Sequence, residues 1–274
     1  MAEALGVAIV TFNSSDVIID CLETLVAAAN ADGIRLHIAV LDNVSTDGSA
    51  ELVEAWGMGT AETGPSDDLP FALEDTCASR VAGKDAATQL GPHQLMVLRA
   101  PYNSGFAGGV NRAVAHLMET TDLDRVWILN PDGIVPAGTP GLLARAPSDF
   151  GLLGGRTFFH DPPDAIQADG GRSNRRTGVT SSLNQKRRHS AGNPVPFPAE
   201  ADIDYISGAH LCVSRLFWDK VGPMEEHYFL YYEEVDWAHR RGDLPLKALP
   251  EAAIFHRAGT SIGSASAKRR ASPM

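Results

Sequence analysis

"VAIVTFNSSDVIIDCLETLVAA", residues 7–28, changes its hydrophobic period halfway along. "VAIVTF" (7–12) is an apolar run of strand length, whereas "SSDVIIDCLETLVAA" offers Ser14 or Ser15 as a helix N-cap and sets Ile18, Leu22 and Leu25 at helical spacing. The pattern recurs. "HIAVLD" (37–42), "LMVLRA" (95–100) and "VWILN" (126–130) read as further strands, and "VNRAVAHLMETT" carries Val110, Val114 and Leu117 on one helical stripe. Strands that alternate with helices build a parallel sheet, so the chain reads as α/β, with ligands expected in the loops at the carboxyl ends of the strands.

Bulk properties narrow the function. The chain has 274 residues, 44% of them hydrophobic, enough to bury a sizeable core. A formal net charge of -11 argues against nucleic acid as a partner, because that affinity rests on phosphate neutralisation by Lys and Arg. Any anion site must be local. Cys21, Cys77 and Cys212 are widely spaced and lack a CxxC pair, which indicates neither a disulfide framework nor a zinc cluster and suits a reducing cytoplasm. No run approaches eighteen apolar residues and no basic leader precedes the first strand, so neither a transmembrane segment nor export is expected.

The four strand ends are polar: "TFNSS" (11–15), "DNVSTDGS" (42–49), "YNSGFAGGVN" (102–111) and "NPDG" (130–133). Each alone is a turn signal. At successive strand ends of one sheet they describe a crevice. Gly105, Gly108 and Gly109 sit just ahead of a helix, where backbone N–H groups can approach a phosphate or a sugar. A dinucleotide fingerprint would belong in the first strand-to-helix turn, and "TFNSSD" has no glycine; no Walker A sequence is present either.

Two segments interrupt the alternation. Residues 57–93 are rich in Gly, Ala, Asp and Thr with weak periodicity, which reads as a partly mobile surface insertion. Residues 170–199 hold Arg172, Arg175, Arg176, Lys186, Arg187 and Arg188 against an acidic background, either a solvated loop or a site for an anionic substrate. Further on, "YYEEVDWAHRR" (231–241) crowds three carboxylates into four residues. Glu233, Glu234 and Asp236 suit the first turn of a helix, and Asp236 with Arg240 is spaced for a scaffold ion pair. A sharper use for one of the acids is proton removal from a substrate. Trp218 and Trp237 read as core residues before sugar-stacking ones.

Taken in order, "VTFNSS", "LDNVSTDGS", "NSGFAGGVNRA", "ILNPDG", "YISGAHLCVSR", "YYEEVDWAHRR" and "FHRAGTS" resemble the family 2 inverting glycosyltransferases of GT-A fold, in their rhamnosyltransferase-like branch, over roughly residues 5–262. The resemblance implies one GT-A domain over 1–274. In it, 1–135 bind a nucleoside diphosphate sugar, dTDP-rhamnose before UDP-sugars, and 136–274 supply the base and the acceptor site. It assigns the donor to Thr11, Asn13, Asp42, Asn103, Gly105, Gly108, Asn111, Asn130 and Asp132, and a divalent cation, Mn²⁺ or Mg²⁺, to Asp132 and His256. Glu234 falls on the catalytic base. Arg175, Arg176 and Tyr232 fall on the side of a glycan, lipid-linked or small-molecule acceptor. A cytoplasmic enzyme, peripheral at the inner face of a membrane, is expected. The rival readings are a silent nucleotide-sugar-binding protein and a nucleotidyltransferase; the latter calls for a Gly- and Arg-rich triphosphate loop near the N-terminus, which is missing.

Overall fold

The computed structural model describes residues 3–61, 64–73, 80–81 and 87–257, the side chains of 80–81 and 87–90 excepted. Its first half runs β1 (Ala4–Thr11), α1 (Ile18–Asp32), β2 (Arg35–Asp42), α2 (Ser49–Met58), β3 (Arg80–Val81), β4 (Ala87–Leu90), β5 (His93–Arg99), α3 (Gly105–Thr120), β6 (Arg125–Leu129) and β7 (Gly133–Ile134). The second half runs α4 (Thr139–Arg145), β8 (Leu152–Gly154), β9 (Thr157–Phe159), β10 (Ile166–Ala168), β11 (Gly171–Ser173), β12 (Thr180–Ser182), β13 (His210–Ser214), α5 (Arg215–Val221), α6 (Glu233–His239), β14 (Leu246–Ala248) and β15 (Ile254–His256).

Nine strands form one sheet in the order β14-β8-β13-β6-β1-β2-β5-β4-β3. At its centre β6, β1, β2 and β5 are parallel, as the alternation predicts. β13 joins antiparallel to β6 and β8, so the second half extends the same sheet. Both faces are buried, which explains why the central strands read as continuous apolar runs. Leu5, Val7 and Ile9 of β1 pack with α1 on one face, while Ala8 packs with α3 on the other.

The first helix starts later than its expected cap. Ile18 opens α1, and neither serine hydroxyl caps it: the Ser14 backbone carbonyl accepts from the Val17 and Ile18 amides, while Ser14 Oγ accepts from Phe12 N–H. The serines instead serve the second loop, because Ser14 N donates to Ser49 Oγ at 2.8 Å and Ser15 N to an Asp47 oxygen at 2.9 Å.

Both interrupting segments have more structure than their composition suggests. In 57–93, residues 57 and 58 close α2, 64–73 lie against α1 and β15, and β3 and β4 extend the sheet edge. The mobility expected there falls partly on 62–63, 74–79 and 82–86, outside the described residues. In 170–199, β11 and β12 form a hairpin, and most arginines are spoken for: Arg172 by Asp202, Arg188 by Asp164, Arg187 by Asn184.

A buried ion pair anchors this basic segment. Arg156 and Asp169, 4% and 0% exposed, form a bidentate pair with both contacts at 2.7 Å, and Asn184 Nδ2 donates to the same carboxylate at 2.7 Å. Removing one partner would leave the other charge buried and unpaired, so Asp169→Ala is expected to cost about 3–5 kcal/mol in urea unfolding.

Candidate active site

The polar strand ends do converge. Thr11 and Asp42 end β1 and β2 in register, and Thr11 Oγ1 donates to an Asp42 oxygen at 3.2 Å while Ser45 N–H holds the other at 3.1 Å. Asp42 is thus a fixed acceptor, 5% exposed, next in sequence to Asn43, which lines the cavity over these loops, although Thr11, Asn13 and Asp42 themselves do not. Asn13 lies at φ 52°, and its side-chain oxygen accepts Thr46 N–H at 2.8 Å, so it locks the first loop to the second.

Asn43, which sequence reasoning passed over, organises the third loop. Its amide nitrogen donates to Asn103 Oδ1 and to the Gly105 carbonyl, both at 2.9 Å, and its oxygen accepts Ser104 N–H at 3.0 Å. Its position next to Asp42 in an Asx-rich loop was the available signal.

A cavity of about 570 Å³ opens over these loops, a common size for a small-ligand site. Asn43, Asn103, Gly105, Asn130, Pro131, Asp132 and His256 supply its polar wall. Val10, Phe12, Phe106, Phe229, Leu230 and Tyr231 supply an apolar one that the sequence did not announce. Gly108 and Asn111 are not among the lining residues. A Cβ at Gly108 would meet Ser104 at 2.5 Å, and one at Gly109 would meet Val10 at 2.6 Å, so these glycines let α3 seat on its own first turn and on β1. Asn111 exchanges two hydrogen bonds with the Met224 backbone, at 2.8 and 2.9 Å, and fastens residues 224–226 to α3.

Gly105 faces protein as well. At φ 70° it packs against Phe229, whose carbonyl lies 2.1 Å from where a Cβ would stand and accepts Phe106 N–H at 2.9 Å. The glycine-rich loop therefore receives the segment 228–232 as a strap across the cavity. Phe229, Tyr231 and Tyr232 hold positive φ (57°, 72° and 76°), an uncommon backbone for aromatic residues.

Asp132 and His256 meet on the polar wall. The pairing of β15 with β7 sets His256 opposite Gly133, and His256 Nε2 lies 2.9 Å from an Asp132 oxygen and 3.1 Å from Asn130 Nδ2. Gln167, from β10, fixes the other ring nitrogen at 2.8 Å, a contact with no sequence signal. Asp132 is 2% exposed. Two donors at about 2.1 Å from one cation and at right angles stand about 3 Å apart, so the pair fits two adjacent ligands of a divalent ion. Among the described residues no three His, Cys, Asp or Glu side chains converge on a metal position, so other donors would come from phosphates and water.

α6 begins directly after the strap. Glu233 is 2% exposed, and one of its oxygens is buried without a hydrogen-bond partner among the described residues. Glu234 is half-buried. Its Cβ and the Phe106 ring both lie within 4 Å of the position a Gly208 side chain would take, which sets it beside the cavity wall. Desolvation, then the charge of Glu233, push its carboxyl up to about 7. Asp236 pairs with Arg240 at 2.7 Å and Trp237 is fully buried, the scaffold roles expected of them. Tyr232 is exposed at the head of the helix, and at its far end Arg175 contacts His239 at 2.9 Å. Arg176 is exposed in the same turn. Of the "HRAGTS" element, Gly259 and Ser261 lie outside the described residues.

No family model matches the chain. The N-acetylglucosaminyl-diphospho-decaprenol L-rhamnosyltransferase of Mycobacterium tuberculosis is 27% identical over 204 residues, 65% of this chain and 63% of that protein. Among solved structures, the mannosyltransferase PcManGT of Pyrobaculum calidifontis, in complex with GDP-Man and Mn²⁺, superposes with a TM-score of 0.56 at 12% identity over 94% of this chain and 58% of that one. GalNAc-T7 with UDP, GalNAc and Mn²⁺ gives 0.54 at 11% identity, over 93% and 44%. The chain thus has the GT-A fold of these glycosyltransferases, and its sequence is similar to that of a rhamnosyltransferase.

Proposed function

We propose that the protein is an inverting glycosyltransferase that moves a sugar, rhamnose from dTDP-rhamnose in the first instance, onto a hydroxyl of a lipid-linked acceptor. The observation that carries the reading is one carboxylate with raised proton affinity, Glu234, set next to Phe106 of a cavity that is also lined by the Asp132–His256 pair. The mycobacterial relative's name supports the sugar and the lipid-diphosphate acceptor. On this reading Asp42 accepts the imide N–H of the base, and Asn103, Asn130 and the Asn43-held third loop face the donor. Thr11 and Asn13 orient the two loops around it.

Glu234 takes the proton of the acceptor hydroxyl as that oxygen attacks the anomeric carbon; the bond to the diphosphate breaks and its electron pair leaves with the phosphate oxygen. A divalent cation held by Asp132 and His256 would offset the charge gathering on that leaving group. Phe229, Leu230 and Tyr231 cover the cavity with apolar side chains and keep water from competing.

Residues Tyr228 to Tyr232 are each 40% exposed or more, an aromatic ribbon at the mouth of the site, and no helix among the described residues is long and apolar enough to cross a membrane. The ribbon suits a protein that meets its acceptor at a lipid surface from outside the bilayer.

Three outcomes test the reading. Glu234→Gln keeps size but loses proton affinity, so kcat should fall by about 10² to 10⁴ with donor affinity nearly unchanged, whereas Glu233→Gln should cost much less turnover. Because the base works ionised, kcat should fall as pH drops through about 7 and level off above it. The linkage has the opposite sense: a carboxyl raised from 4.5 to about 7 in the fold loses stability as pH rises between those values. Glu234→Gln should therefore melt no lower than wild type at pH 8.

A thermal-shift panel of dTDP-, UDP- and GDP-sugars should show a Mn²⁺-dependent rise in Tm for the true donor, abolished by chelator and by Asp132→Ala. No shift with any donor would remove the glycosyltransferase reading. For the acceptor side, Arg175→Glu with Arg176→Glu should raise acceptor KM and spare donor binding; an unchanged KM would return the two arginines to solvent.

A further inference from the structure

β15, which delivers His256, is three residues long, and its neighbours β9 and β7 offer only three and two. Such a strand end has little of its own to hold it. The next residue, Arg257, donates its backbone N–H to the Asp132 carbonyl at 3.3 Å, so the two members of the Asp132–His256 pair share one short stretch of ladder. Side chains from two other parts of the chain grip that stretch. Arg257 Nη2 donates to Asp20 of α1 at 2.7 Å and to Asp68 of the insertion at 2.9 Å. Ser66 closes the group, with its amide on one Asp20 oxygen and its hydroxyl on the other, both at 2.7 Å. Three residues beyond Asp68, Phe71 packs against Phe255 with ring centroids 5.9 Å apart.

We propose that residues 66–71 of the insertion form a clamp whose purpose is to position His256. Asp68 and Ser66 tie Arg257 to α1 behind the site, and Phe71 holds the strand one residue before the imidazole. None of these residues lines the cavity, so they act through His256 as positioning residues. The metal consequence rests on the proposed role of Asp132 and His256; the positional one does not.

Asp68 is the informative target. It is exposed, so its loss leaves no buried charge, whereas replacing the buried Asp20 would risk the fold. The experiment compares wild type, Asp68→Ala, Phe71→Ala and Asp68→Asn by two readouts: histidine side-chain ¹⁵N NMR of the metal-free protein, with His256 assigned by His256→Gln, and Mn²⁺ titration in the presence of UDP. In wild type, His256 should give one tautomer, fixed by Gln167; the two alanine variants should broaden or shift that signal and raise the Mn²⁺ Kd about tenfold. Asp68→Asn, which keeps an acceptor for Arg257, should restore most of both. An unchanged His256 signal in both alanine variants overturns the clamp. Should wild type bind no Mn²⁺ while the alanine variants still disturb His256, the metal reading falls and the clamp stands.

Discussion

In-register parallel pairing of β1 with β2, eight residues long from Ala4↔Arg35 to Thr11↔Asp42, is the contact on which the site depends. Because the strands run the same way and end together, their loops leave the sheet at one level. With both faces covered by helices, the strand interiors are mostly apolar, and most of the polarity is pushed to the ends. Thr11, Asp42 and Asn43 are buried polar groups for that reason, and each is satisfied by a neighbour at the same level.

The second half of the chain adds what parallel strands cannot. β13 runs antiparallel to β6 in the nine-stranded sheet, and β15 runs antiparallel to β7 in a separate four-stranded sheet, β10-β9-β15-β7, which brings residues from late in the sequence beside the end of β6. His256 reaches Asp132 across 124 positions this way, and Gln167 reaches His256 across 89. The strap from 228 to 232 then crosses the cavity, held at Phe229 by the α3 amide end and at residues 224–226 by Asn111. Its left-handed aromatic residues cost backbone free energy, and the fold retains them where they wall the cavity and lead into Glu234.

Electrostatics divides the acids by depth. Asp236, at the helix surface with Arg240, is scaffold. Glu234, two positions earlier, is half-buried, and desolvation, then the charge of Glu233 beside it, push its carboxyl up to about 7. The basic segment shows the converse: Arg172 and Arg188 are neutralised by local acids, and Arg175 stands out by contacting the helix that carries Glu234.

Local sequence determined the strands, the helices between them and the polar strand ends, because periodicity and turn chemistry act over a few residues. The ordered motifs pointed to Asp132, His256 and Glu234, and the structure brings the first two into contact and the third beside the same cavity. Tertiary structure alone decided the rest. The glycines before α3 looked like a phosphate cradle, yet Gly105 accommodates a carbonyl from 124 residues away and Gly109 accommodates Val10. Asn111 looked like a ligand contact and is a clamp on Met224; the insertion looked like surface, and Ser66 and Asp68 reach Asp20 and Arg257. A glycine, an asparagine or an aspartate carries the same local signal whether its partner is a ligand or a distant part of its own chain, and only the packed chain supplies the partner.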